Sequence, residues 1–115
     1  MGYFKAVELS SSERFIYIYS GLPAAELENT IEQIMVSGNY KNKGNRTYER
    51  GSRTMRMLLG AMHKYFKFDI KIELINPTDI RVEVKKTSSG MSGGLIGMNQ
   101  VKTEMTRLNN LFQSI

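Results

Sequence analysis

A chain of 115 residues with 41% hydrophobic and 23% charged residues has the size and make-up of one globular domain with a single core. Absent cysteine excludes disulfides and thiolate metal sites, and no apolar run approaches the roughly 18 residues that span a bilayer. The net charge of +5 is concentrated: residues 39–67 carry +7, whereas 1–38 carry −3, 68–86 carry zero and 87–115 carry +1.

The first residues, Met1-Gly2-Tyr3-Phe4-Lys5, show no basic stretch leading into an apolar one, so a cytoplasmic protein is expected. Residues 3–9 and 14–19 read as strands joined by Ser10-Ser11-Ser12-Glu13. The second is rich in β-branched and aromatic residues, with Phe15, Tyr17 and Tyr19 on one face and Ile16 and Ile18 on the other. Two apolar faces predict an interior strand covered on both sides. The aromatic face reads as core, with a ligand cavity as the minority alternative.

Ser20-Gly21-Leu22 ends that strand, and Pro23 suits the first position of a helix over 23–37. Leu27, Ile31, Ile34 and Met35 recur at helical spacing, and Gly38 is placed to end the helix in a left-handed conformation. From Tyr40 to Gly51 the chain is polar and basic, with a turn at Asn42-Lys43-Gly44-Asn45, which predicts a short hairpin or one edge strand near 46–50. Met55, Leu58, Leu59, Met62 and Phe66 then mark an amphipathic helix over 53–65, capped by Ser52.

Residues 67–85 alternate most clearly. Phe68, Ile70, Ile72 and Leu74 interleave with charged residues, as do Ile80, Val82 and Val84, around a turn at Asn76-Pro77-Thr78. This is an antiparallel hairpin with one buried and one solvated face. Four of the ten glycines follow between 90 and 97, and Met98, Val101, Met105, Leu108 and Leu111 or Phe112 mark a closing helix. The expected fold is a single α+β domain spanning 1–115, with a mostly antiparallel sheet of four to five strands and about three helices chiefly on one face.

Chemistry has few candidates. His63 is the only histidine, and Asp69 and Asp79 alternate toward solvent, so the chain leans away from enzymes and no metal or cofactor motif is present. The glycine-rich joint fails the P-loop pattern, since Met98-Asn99 follows Gly97, and fails the dinucleotide fingerprint, since position 92 is serine. What survives is a generic anion site made from Ser89, Ser92, Gly93, Gly94 and Gly97, weighed against glycine packing. The basic segment supplies Lys41, Lys43, Arg46, Arg50, Arg53, Arg56 and Lys64, with Tyr40, Tyr48 and Tyr65 able to stack on bases. It reads first as a solvated surface, then as a nucleic-acid footprint, and less so as a contact for an anionic membrane. A non-enzymatic binding or interaction domain, with an anionic ligand at the joint, is the expected function; nucleic-acid binding through 39–67 is the alternative. The composition is compatible with a homo-oligomer.

Overall fold

The computed structural model describes residues 2–11, 13–51, 66–87 and 94–115, with the backbone alone for 94–98. Among them lie β1 (Phe4–Ser10), β2 (Arg14–Ser20), α1 (Ala24–Ser37), β3 (Lys41–Asn42), β4 (Thr47–Arg50), β5 (Phe66–Leu74), β6 (Asp79–Lys86) and α2 (Gly94–Gln113). The strands make one antiparallel sheet in the spatial order β1-β2-β6-β5-β4-β3. An α+β domain with an antiparallel sheet is therefore present, with six strands instead of four to five. The extra strand comes from residues 41–50, which form a complete hairpin. Its turn runs through Gly44, Asn45 and Arg46, all at positive φ, and the Asn42 side chain accepts a hydrogen bond from the Gly44 amide at 2.9 Å. Two helices are seen; the helix expected over 53–65 lies outside the described residues.

Register explains the core. Ile72, Val82 and Tyr17 stand in one row across β5, β6 and β2, and Ile70, Val84 and Phe15 in the next. These side chains share one face, onto which α1 presents Leu27, Ile31 and Met35 and α2 presents Val101, Met105, Leu108 and Phe112. Of the two residues offered for the last turn of α2, Phe112 is fully buried and Leu111 only half so. Both helices serve the same face. Among the described residues no helix covers the second side of β2, which was expected to be buried: Ile16 and Ile18 are only half-buried, and they share that face with the charged residues of β5 and β6.

Four tyrosines pass through this core and end on hydrogen-bond partners in the helices. Tyr17 donates to Asn109, and Tyr19 donates to the Phe112 carbonyl at 2.7 Å. Tyr40 donates to Glu104 at 2.6 Å, and Tyr48 donates to Glu32. Each ring buries apolar surface while its hydroxyl stays satisfied, which avoids the cost of an orphaned polar group.

Two helix ends differ from expectation. Gly38 has φ −90, and Asn39 takes the left-handed step with φ 68. A Cβ at 38 would stand 2.8 Å from the Arg107 guanidinium, which would have to shift to admit it. Helix α2 begins at Gly94, ahead of the Met98 start that the apolar spacing marks.

Candidate functional site

The face of the sheet that neither α1 nor α2 covers is the most developed surface among the described residues. Strand alternation that sends Tyr17 and Tyr19 into the core necessarily sends Ile16 and Ile18 outward. Ile16 stands in a row with Glu83 and Lys71, and Ile18 in a row with Arg81 and Glu73. On the β1 side, Leu9 pairs with Ile16 and Ala6 with Ile18. Two register shifts in β1, between Phe4 and Ala6 and between Val7 and Leu9, accompany this placement. The result is a short apolar strip of Ala6, Leu9, Ile16 and Ile18.

Charges of both signs border the strip and neutralise one another. Arg81 donates to Glu8 at 3.0 and 3.2 Å and to Glu73 at 3.2 Å. Arg14 donates to Glu83 at 3.0 Å, and Lys5 to Asp79 at 3.0 Å. The Asp79 carboxyl is held below the usual carboxylate range, chiefly by hydrogen bonds from Asn76 and then Lys5. A shallow hollow of about 320 Å³ opens here, lined by Glu8, Ile16, Lys71, Glu73, Arg81 and Glu83. Alternate cross-strand charges of this kind stabilise a sheet modestly and keep its face soluble.

The described residues of the sequence-expected sites lie elsewhere. In the glycine-rich joint, Gly94 and Gly97 fall in the first turn of α2, whose first turn contains no acidic residue. Ser89, Ser92 and Gly93 lie outside the described residues, as do Arg53, Arg56 and Lys64 of the basic segment. Of that segment's remaining cations, Arg46 pairs with Glu28, Lys43 lies 3.8 Å from Glu49, and Arg50 lies 4.0 Å from Glu104 while covering the Phe66 ring. Lys41 is exposed. Tyr40 and Tyr48 are each only 2% exposed, so neither ring is placed to stack on a base. The aromatic face of β2 is sealed: Phe15, Tyr17 and Tyr19 are fully buried.

Glu104 is the one buried charged residue of the described core, at 6% exposure. It accepts from Tyr40 and from Arg107 at 2.8 and 2.7 Å, with Arg50 nearby. Burial pushes its carboxyl up, but the Arg107 and Tyr40 hydrogen bonds and the two guanidinium charges outweigh burial and hold it below the ordinary glutamate value. With every oxygen engaged, this cluster joins elements; it offers no free acid or base. No set of three His, Cys, Asp or Glu side chains suited to a metal ion is found among the described residues.

No family model matches the chain, and no curated protein or solved structure is significantly similar to it. No helix among the described residues is long and apolar enough to cross a membrane.

The open face was missed in the sequence although part of its signal was there. Alternation in 67–85 marks a solvated face, and β2 pairs directly with that hairpin. What the sequence lacks is the pairing itself, which puts Ile16 and Ile18 on the solvated side.

Proposed function

We propose that this chain is a non-enzymatic interaction domain that receives a protein partner on the face of its sheet opposite α1 and α2. The observation that carries the reading is the apolar strip of Leu9, Ile16 and Ile18 inside a border of internally paired charges. Apolar centres with polar rims are the usual anatomy of protein–protein contacts. A nucleic acid would call for a run of uncompensated basic side chains, whereas on this face Arg14, Arg81 and Lys5 already hold carboxylates and, among the described residues, Lys71 and Lys85 are left without one. The test is a photo-crosslinking residue at Ile18, compared with one at the exposed Lys102 of α2, in the cells the protein comes from. A discrete protein adduct formed only from position 18 is expected. Identical adducts from both positions, or none from 18, would count against the reading.

The anionic-ligand reading keeps one supporting feature, the first turn of α2 from Gly94 to Gly97. Its backbone N–H groups have no intrahelical partner, and no acidic side chain offsets the positive end of the helix there. A rise in melting temperature with phosphate that saturates, and that is lost in a folded Gly94→Val variant, would support it. An unsaturating rise is the general salt effect and would remove this reading.

A further inference from the structure

On the strength of the interaction face proposed above, we infer that its partner is an acidic protein segment, which seats an apolar side chain on Ile16 and Ile18 and carboxylates on Lys71 and Lys85. The charges of the face point to this. Arg81 holds Glu8 and Glu73, Arg14 holds Glu83, and Lys5 holds Asp79. Strand register sets Lys71 directly across from Glu83 and Lys85 directly across from Asp69. Glu83, however, is drawn to Arg14, and Asp69 accepts from the Thr47 hydroxyl at 2.7 Å. Both lysines are exposed, and among the described residues neither forms an ion pair. Two further lysines of this face, Lys41 and Lys67, each stand across from Glu49.

The two unpaired lysines stand beside the apolar strip. Ile16 opposes Glu83, and Lys85 follows two residues further along β6, on the same side of the sheet. Diagonal neighbours of this kind are roughly 7–8 Å apart, within reach of a lysine side chain. Lys71 lies in the row of Ile16 but two strands away, roughly 10 Å at ordinary strand spacing. Both Lys71 and Ile16 line the hollow of about 320 Å³. Its three glutamates, Glu8, Glu73 and Glu83, are all engaged by arginine, so the charge left for an occupant is the Lys71 ammonium. An extended segment presents alternate side chains to one side at intervals of roughly 7 Å. An apolar residue with acids two positions away therefore meets Ile16, Lys85 and Lys71 together. A nucleic acid brings an unbroken line of phosphates, which would run against the three glutamates; carboxylates spaced by apolar residues avoid them.

Amide NMR titrations with defined probes test this. The probes are short blocked peptides of leucine with glutamate, leucine with glutamine and leucine with lysine, together with single-stranded oligothymidylate. The glutamate peptide is expected to give saturable shifts at Ile16, Ile18, Lys71 and Lys85 and to bind about tenfold more tightly than the glutamine peptide. That advantage should disappear at high salt and in a Lys71→Gln, Lys85→Gln double variant, while the lysine peptide should not bind. Both substituted side chains are exposed, so the variant is expected to stay folded, and the same spectra verify it. Equal binding of the glutamate and glutamine peptides would overturn the acidic partner and leave the interaction face standing. Tighter binding of oligothymidylate than of the glutamate peptide would overturn it in favour of a phosphate polymer. No shift on this face with any probe would overturn it as well, and the crosslink from Ile18 then decides separately whether the face receives a protein.

Discussion

Gly38 and Arg107 illustrate how one residue's identity is set from outside its own element. The backbone at Gly38 is compatible with alanine, so the constraint is the guanidinium 2.8 Å from where a Cβ would stand. That guanidinium is pinned by two hydrogen bonds to Glu104 and cannot easily retreat. Gly38→Ala is therefore expected to destabilise by about 1 kcal/mol in urea denaturation. In an Arg107→Ala background the same change should be neutral or stabilising, because alanine reduces the freedom of the unfolded chain. Equal destabilisation in both backgrounds would mean that the guanidinium is irrelevant. The buried tyrosines give a second residue-scale expectation. Tyr19→Phe leaves the Phe112 carbonyl without its hydroxyl partner and should cost about 1–2 kcal/mol; an unchanged denaturation midpoint would contradict that role.

At the scale of elements, the β5–β6 hairpin is where sequence and structure agree best. Period-two alternation with a turn at Asn76 fixes the face of each residue, and Asn76 secures the turn by accepting from the Thr78 and Asp79 amides, both at 2.9 Å. Val82 is fully buried whereas Ile72 is only partly so. Val82→Ala should accordingly cost about 2 kcal/mol, Ile72→Ala no more than that despite its larger side chain, and Lys71→Ala little. Similar midpoints for Val82→Ala and Lys71→Ala would show the register to be wrong. The hairpin at 41–50 was less legible. Its turn was marked by Asn42-Lys43-Gly44-Asn45, but its strands are too short to display a period, and the positive φ at Arg46 is not announced by its side chain. The half-buried face of β2 was illegible for another reason. Ile16 and Ile18 have the composition of a buried face, and only the pairing of β2 with β6 reveals their surroundings.

Among the described residues, the sheet has one aromatic core face under α1 and α2, a second face that neither helix covers, and edges poorly suited to recruiting further strands. β1 carries two register shifts and has Tyr3 and Phe4 amides tied to the Ile115 carbonyl at 3.0 and 3.1 Å, while β3 is two residues long. Contact through a face is thus better supported than strand addition. The core also sets the response to alkali. Burial raises the pKa of Tyr19, Tyr40 and Tyr48, with Tyr17 adding to the effect at Tyr19 and the Glu104 and Glu32 contacts adding at Tyr40 and Tyr48. A raised folded-state pKa means that the stabilisation is complete below about pH 10, where unfolded tyrosine ionises, and is lost as pH rises beyond it. Unfolding free energy measured against pH should fall from about pH 10 upward. Tyrosinate absorbance appearing at ordinary pH for all six tyrosines of the folded protein would contradict this.

The claim that the open face serves contact and not folding is tested most directly by substituting Ile16→Thr and Ile18→Thr together. Threonine keeps the β-branch and so the strand preference, while the apolar strip is lost. The readouts are the denaturation midpoint and the yield of the partner adduct from a photo-crosslinking residue at Leu9. Stability is expected to change by only about 1 kcal/mol, with the adduct reduced to background. A loss of several kcal/mol, of the size seen for core truncations, or an adduct yield equal to that of the parent, would contradict the account.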